Sequence, residues 1–90
     1  MTEQSVSFAI DRHRGHIDAI DREIVALLNK RAIESLSVRA LKASKQMDVF
    51  DPKREEEIFD SLVQCNRGPF SDDGLKAIYA LILKLSKEIP

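Results

Sequence analysis

The sequence predicts an all-α fold of three helices, the first about twice as long as the others, assembled as an intertwined two-fold homodimer. Glycine occurs only at positions 15, 68 and 74 and proline only at 52, 69 and 90, so nothing punctuates the chain between His16 and Asp51. Over that interval Ile10, Ile17, Ile24 and Val38 share one seven-residue register, and Ile20, Leu27 and Leu41 share the register three residues later. This is a coiled-coil-like seam. No segment reads as a convincing strand.

Several residues can open the first helix: Ser5, Ser7 and Asp11 are all acceptable caps, and Gly15 weakens the early turns by about 1 kcal/mol relative to alanine. A helix from about residue 7 to about residue 45 is about 55 Å long. A compact chain of this size has a radius of gyration of only about 12 Å. The seam therefore calls for a second molecule, and the simplest closed solution is a two-fold dimer with the long helices running against each other. The second helix opens at Asp51-Pro52, where the aspartate accepts from exposed backbone N–H groups and proline suits the first turn. Ile58, Phe59, Leu62 and Val63 give it an apolar stripe, and Asn66-Arg67-Gly68-Pro69 ends it. Ser71 caps a third helix carrying Leu75, Ile78, Leu81, Ile82, Leu85 and Ile89. There is no internal repeat and no linker long enough to divide the chain, so residues 1–90 are read as a single domain.

The 14 basic and 15 acidic side chains leave a net charge of −1, which offers no global field for nucleic acid or an anionic membrane. Any anion site must be local. One cysteine, Cys65, excludes an internal disulfide framework and leans toward a reducing compartment. The first residues lack the basic start and apolar run of a signal peptide, and no uncharged stretch approaches membrane-spanning length, so the protein is read as cytoplasmic. His13 and His16 lie three apart without a third ligand, so no metal site is expected. Tyr79 is read as core.

Charges interrupt the seam. Arg31 takes the apolar register between Ile24 and Val38, and Glu34 takes the other between Leu27 and Leu41. Taken alone, Arg31 is read as an ion pair with Glu34 or as a snorkelling arginine with a packed stem. Lys42 lies eleven residues on, pointing to nearly the same face about 16 Å along the axis, so the two cations flank a gap that suits a small dianion. Asp51, Arg54 and Glu55 fall within one turn and can share a pocket; alone, they also fit a solvated helix start. Arg14 lies about 25 Å from Arg31 along the helix, so both reach one small ligand only across an antiparallel dimer.

This pattern resembles the all-helical chorismate mutases from about Arg14 to Ser86. The likeness is carried by the arginine before Ile17-Asp18-Ala19-Ile20-Asp21, by Ile24-Val25-Ala26-Leu27-Leu28-Asn29-Lys30-Arg31, by Lys42, and by Asp51-Pro52-Lys53-Arg54-Glu55. The resemblance implies a dimer with two shared sites that rearranges chorismate to prephenate without a cofactor. It implies that Arg14 of one subunit and Arg31 of the other hold the two carboxylates while Lys42 approaches the enol ether oxygen. Asp51 and Glu55 would contact the ring hydroxyl, Arg54 would order the site, and Ser86 would sit beside a carboxylate. Lys42, Arg31 and Glu55 would be the catalytic groups.

A pericyclic rearrangement requires no nucleophile, base or metal. It requires the flexible side chain to be folded over the ring and negative charge on the breaking ether bond to be stabilised. Arginines clamp carboxylates in bidentate fashion, and a lysine supplies a movable point charge. One departure stands out: the family usually places glutamine four residues after the serine, and here that position is Pro90. Either Lys42 works without that partner, or Glu88 substitutes, or the natural chain continues; activity below that of a free-standing member follows. The Asn66 to Phe70 turn also resembles members fused to, or working beside, the synthase that opens the shikimate pathway. Other readings are a mutase for 4-amino-4-deoxychorismate, a related isochorismate lyase, a weakly active regulatory module for that synthase, and a helical dimerisation domain without ligand.

Overall fold

The computed structural model describes all 90 residues, Met1 to Pro90. They form three helices, α1 (Glu3–Ser44), α2 (Pro52–Cys65) and α3 (Asp72–Lys87), and no strand. At 42 residues, α1 is close to three times the length of α2 and α3, which have 14 and 16. By internal contacts the chain divides into Met1–Leu36 and Ser37–Pro90.

Residues 1–36 are helix from Glu3 onward. The helix opens earlier than the three expected caps because Thr2 and Ser5 cap it reciprocally. Thr2 Oγ1 accepts from the Ser5 backbone N–H at 3.1 Å, and Ser5 Oγ accepts from the Thr2 N–H at 3.0 Å. This is the geometry of a capping box with serine in place of the usual glutamate or glutamine. Gly15 is accommodated within the helix, and a Cβ there would meet nothing within 4 Å. The seam residues Ile17, Ile20, Ile24 and Leu27 are 46 to 62% exposed, and no side chain anywhere in the protein is fully buried.

Residues 37–90 hold the end of α1 together with α2 and α3. Helix α1 ends in a Schellman arrangement: the Met47 N–H donates to the Lys42 carbonyl at 2.8 Å and the Gln46 N–H to the Ala43 carbonyl at 3.2 Å. Gln46 takes the left-handed position, with φ of 53°, that glycine usually fills. Asp48 Oδ1 then accepts from the Phe50 N–H at 3.0 Å and turns the chain toward α2.

Asp51 caps α2, with Pro52 following in the first turn. After α2, Asn66 ties the turn at three points. Its Nδ2 donates to the Phe70 carbonyl at 2.9 Å and to Asp72 Oδ1 at 2.8 Å, and its Oδ1 accepts from the Gly68 N–H at 2.9 Å. Gly68 has φ of +72°, where its missing Cβ matters. Ser71 Oγ accepts from the Gly74 N–H at 2.9 Å and caps α3.

Helices α2 and α3 pack against each other. Ile58, Phe59 and Leu62 on α2 and Leu75, Tyr79 and Ile82 on α3 are half-buried. The apolar set of α3 divides between two faces: Ile78, Leu81 and Leu85 form a separate stripe that stays 43 to 53% exposed. No helix is long and apolar enough to cross a membrane.

Candidate active site

Five of the seven candidate residues lie in residues 37–90; hydrogen bonds join Lys42, Asp51, Arg54 and Glu55, and Ser86 is the chain neighbour of Lys87, which pairs with Glu55. Lys42, near the end of α1 and half-buried, donates from Nζ to Asp51 Oδ2 at 3.2 Å. Asp51 Oδ1 accepts from the Arg54 backbone N–H at 3.1 Å, and the Asp51 carbonyl accepts from the Glu55 N–H at 3.2 Å. One carboxylate thus caps α2 with one oxygen and fixes Lys42 with the other. The Arg54 N–H, then the Lys42 ammonium, hold the Asp51 carboxyl below the usual carboxylate range.

Glu55 Oε1 accepts from Lys87 Nζ at 2.6 Å, which links α2 to the last turn of α3. The neighbouring Ser86 is half-buried and donates from Oγ to the Ile82 carbonyl at 2.7 Å. The Arg54 side chain points along its own helix to Glu57 Oε2 at 3.5 Å, in an exposed pair. Helix α3 ends at Lys87, with Glu88 as its exposed C-cap.

The other two candidates, Arg14 and Arg31, belong to residues 1–36. Arg14 is exposed and Arg31 half-buried. The surface hollow lined by Met1, Val6, Ile10 and Arg14 runs along this one helix and holds none of the other candidates. His13 and His16 stand edge to face with ring centroids 6.0 Å apart, and no group of three or more His, Cys, Asp or Glu side chains is placed to hold a metal ion.

Lys87 and Arg39 were not among the sequence candidates. Lys87 reads in sequence as an ordinary cation in the last turn of a helix. Arg39 carried a weak signal, since it sits three residues before Lys42 and shares its helical face. Its Nη2 donates to the Ile89 carbonyl at 2.9 Å.

Each cation of the network stands against a carboxylate: Lys42 with Asp51, Arg54 with Glu57, Lys87 with Glu55. Such a surface suits a small ligand that brings both anionic groups for the cations and a hydroxyl donor for the carboxylates.

Residues 13–89 match the family model described as chorismate mutase type II. Among curated proteins the chain is similar to the bifunctional chorismate mutase/prephenate dehydratase of Aquifex aeolicus, at 36% identity over 84% of this chain and 23% of that protein. It is also similar to the Neisseria gonorrhoeae protein of the same description, at 30% identity over 89% of this chain and 22% of that protein. The chain therefore spans less than a quarter of the length of these relatives. Among solved structures it resembles two forms of chorismate mutase from Thermus thermophilus. Form I has a TM-score of 0.84 at 33% identity and covers 87% of this chain and 98% of that one. Form II has a TM-score of 0.87 at 32% identity and covers 90% of this chain and 92% of that one. With a family match that runs nearly end to end and solved relatives of almost the same length and fold, the chain belongs to the chorismate mutase type II family.

Proposed function

We propose that this chain rearranges chorismate to prephenate as a homodimer. The observation that carries this reading is the family match over residues 13–89, which spans every candidate from Arg14 to Ser86. In this reading Arg14 of one subunit and Arg31 of the other clamp the two carboxylates. Lys42 leaves Asp51 to meet the ether oxygen as its negative charge grows, and Asp51 and Glu55 accept from the ring hydroxyl. Arg54 helps order the site, and Ser86 meets a carboxylate. The reaction is intramolecular, so the residues supply orientation and charge, and no side chain exchanges a proton or forms a bond with substrate.

The dimer is supported by the exposed seam of α1 and the second apolar stripe of α3. A half-exposed isoleucine or leucine gains about 1 kcal/mol when the rest of its surface is covered, so seam and stripe together favour association by several kcal/mol before the entropy lost on association is counted. A second reading, a weakly active module whose turnover rises on binding the synthase that opens the shikimate pathway, draws on the Asn66-tied turn. That turn leaves Phe70 59% exposed.

The test is the loss of chorismate absorbance with purified wild type, Arg31→Ala and Lys42→Ala, at matched dimer concentration. Wild-type turnover, with each variant reduced by about a hundredfold or more while still folded, is the expected result. A folded dimer that leaves chorismate untouched overturns the reading. Assays with the 4-amino analogue and with the synthase then become decisive.

A further inference from the structure

Two side chains with no role in the chemistry above grip the end of α3. Arg39, half-buried on α1 and one turn before Lys42, donates from its guanidinium to the Ile89 carbonyl at 2.9 Å, across 50 positions of sequence. Lys87 reaches Glu55 Oε1 at 2.6 Å and stands 5.7 Å from the centroid of the Phe50 ring. The end of α1, the segment before α2, and α2 itself are thereby all tied to the stretch of α3 that carries Ser86. Every one of these groups lies within residues 37–90.

Helix C-termini fray because their last carbonyls have no partner within the helix. Here a carbonyl just beyond the helix is taken by a charged donor, and a charge-assisted bond is stronger than one between neutral groups. Arg39 is part-buried at this bond and Lys87 is 56% exposed, so solvent screens the Lys87 pair more. Arg39 is the stiffer of the two ties.

We infer that Arg39 and Lys87 form a clasp on the C-terminal end of α3 and act as positioning residues for the proposed site. Arg39 keeps Ser86 in register with Lys42, one helical turn away from itself. Lys87 sets the direction of the Glu55 carboxylate. The kinetic part of this inference rests on the mutase reading; the structural part does not. In that reading most of the substrate affinity comes from the two arginine clamps, Ser86 and Glu55 add one contact each, and the placing of Lys42 against the ether oxygen counts only in the reacting form. A loosened clasp therefore lowers kcat more than it raises KM.

The experiment compares wild type, Arg39→Ala, Arg39→Lys and Lys87→Gln, with Arg67→Ala in the turn as control, all over residues 1–90 at matched concentration and oligomeric state. Amide hydrogen exchange is followed across α3 and chorismate kinetics are measured on the same samples. In Arg39→Ala, exchange at Ile82 to Glu88 should rise about tenfold or more, with a much smaller change at Leu75 to Leu81. Its kcat should fall about tenfold with KM within about threefold, and Arg39→Lys should recover most of that loss. Lys87→Gln should show the same pattern at about a third of the size, and Arg67→Ala neither effect.

Unchanged exchange at the end of α3 in both Arg39→Ala and Lys87→Gln overturns the clasp, whatever the activity. Faster exchange with unchanged kcat overturns the positioning role. A uniform rise in exchange with activity lost in proportion to folded protein, not restored by lysine, also overturns it, since that describes general destabilisation. Wild type that leaves chorismate untouched removes the mutase reading and the positioning role with it, and exchange alone then decides the clasp.

Discussion

Residues 1–36 and residues 37–90 treat their apolar and charged groups differently. The first stretch is one helix whose seam residues Ile17, Ile20, Ile24 and Leu27 remain about half exposed. In the second, two helices pack together and each cation of the site faces a carboxylate within 3.5 Å. A single helix has nowhere to put an apolar face, and in proteins most helical stability comes from packing such a face rather than from propensity. The first stretch thus suits the association proposed above, while the second is ordered by its own contacts. A dimer with shared sites, as proposed above, would draw on both kinds of segment.

Breaking the seam should have the largest effect. Ile20→Asp combined with Ile24→Asp places two carboxylates where the proposed interface is dry, and each costs several kcal/mol unless it neutralises. Sedimentation should report a monomer, circular dichroism a loss of helix, and the chorismate assay a fall of about a hundredfold or more. A helical, active dimer would refute the assignment of this face to association.

Effects in residues 37–90 should be smaller and local. Ser71→Ala removes the side-chain acceptor for the Gly74 N–H, and thermal unfolding should show about 1 kcal/mol of lost stability with the dimer retained. Gln46→Gly should move the other way, by about 0.5 to 1 kcal/mol, because Gln46 holds a left-handed conformation that glycine adopts without strain. A destabilised Gln46→Gly would mean that its side chain makes a contact worth more than the strain.

The smallest effect concerns pH. The folded-state pKa of Asp51 is depressed, so its contribution to stability is present above its unfolded value, near pH 4, and is lost as pH falls through the folded value. Asp51→Asn keeps the cap acceptor but removes this titration. Its acid unfolding should therefore fall less steeply below about pH 4 than that of wild type. Identical acid limbs would show that the Lys42–Asp51 pair does not couple to folding.

Where sequence decides locally, the structure was legible. Asp51 and Ser71 are caps because an oxygen on a short side chain sits beside free N–H groups, and this needs only neighbours in the chain. The start of α1 was harder, since Ser5, Ser7 and Asp11 competed with a Thr2–Ser5 pair lacking the usual glutamate. The end of α1 gave no glycine signal because Gln46 stands where glycine usually marks the stop. The apolar residues of α3 were legible as a set but not as two faces, because i, i+3 and i+4 steps overlap when most positions are apolar.

The same division holds for the site. Asp51, Arg54 and Glu55 were visible as one turn of helix. The Lys87–Glu55 and Arg39–Ile89 bonds span 32 and 50 positions, and no local spacing encodes them.

In the proposed site, the pairing of Lys42 with Asp51 would also act as a valency filter. A carboxylate tethered nine residues away competes for the ammonium as an intramolecular partner, at an effective concentration of about millimolar or above. A monodentate anion such as acetate must displace that tether for the sake of a single contact. A ligand that engages several cations at once spreads the displacement over all of them. Lys42 is therefore expected to be kept from the small anions of its surroundings and surrendered to a multivalent ligand.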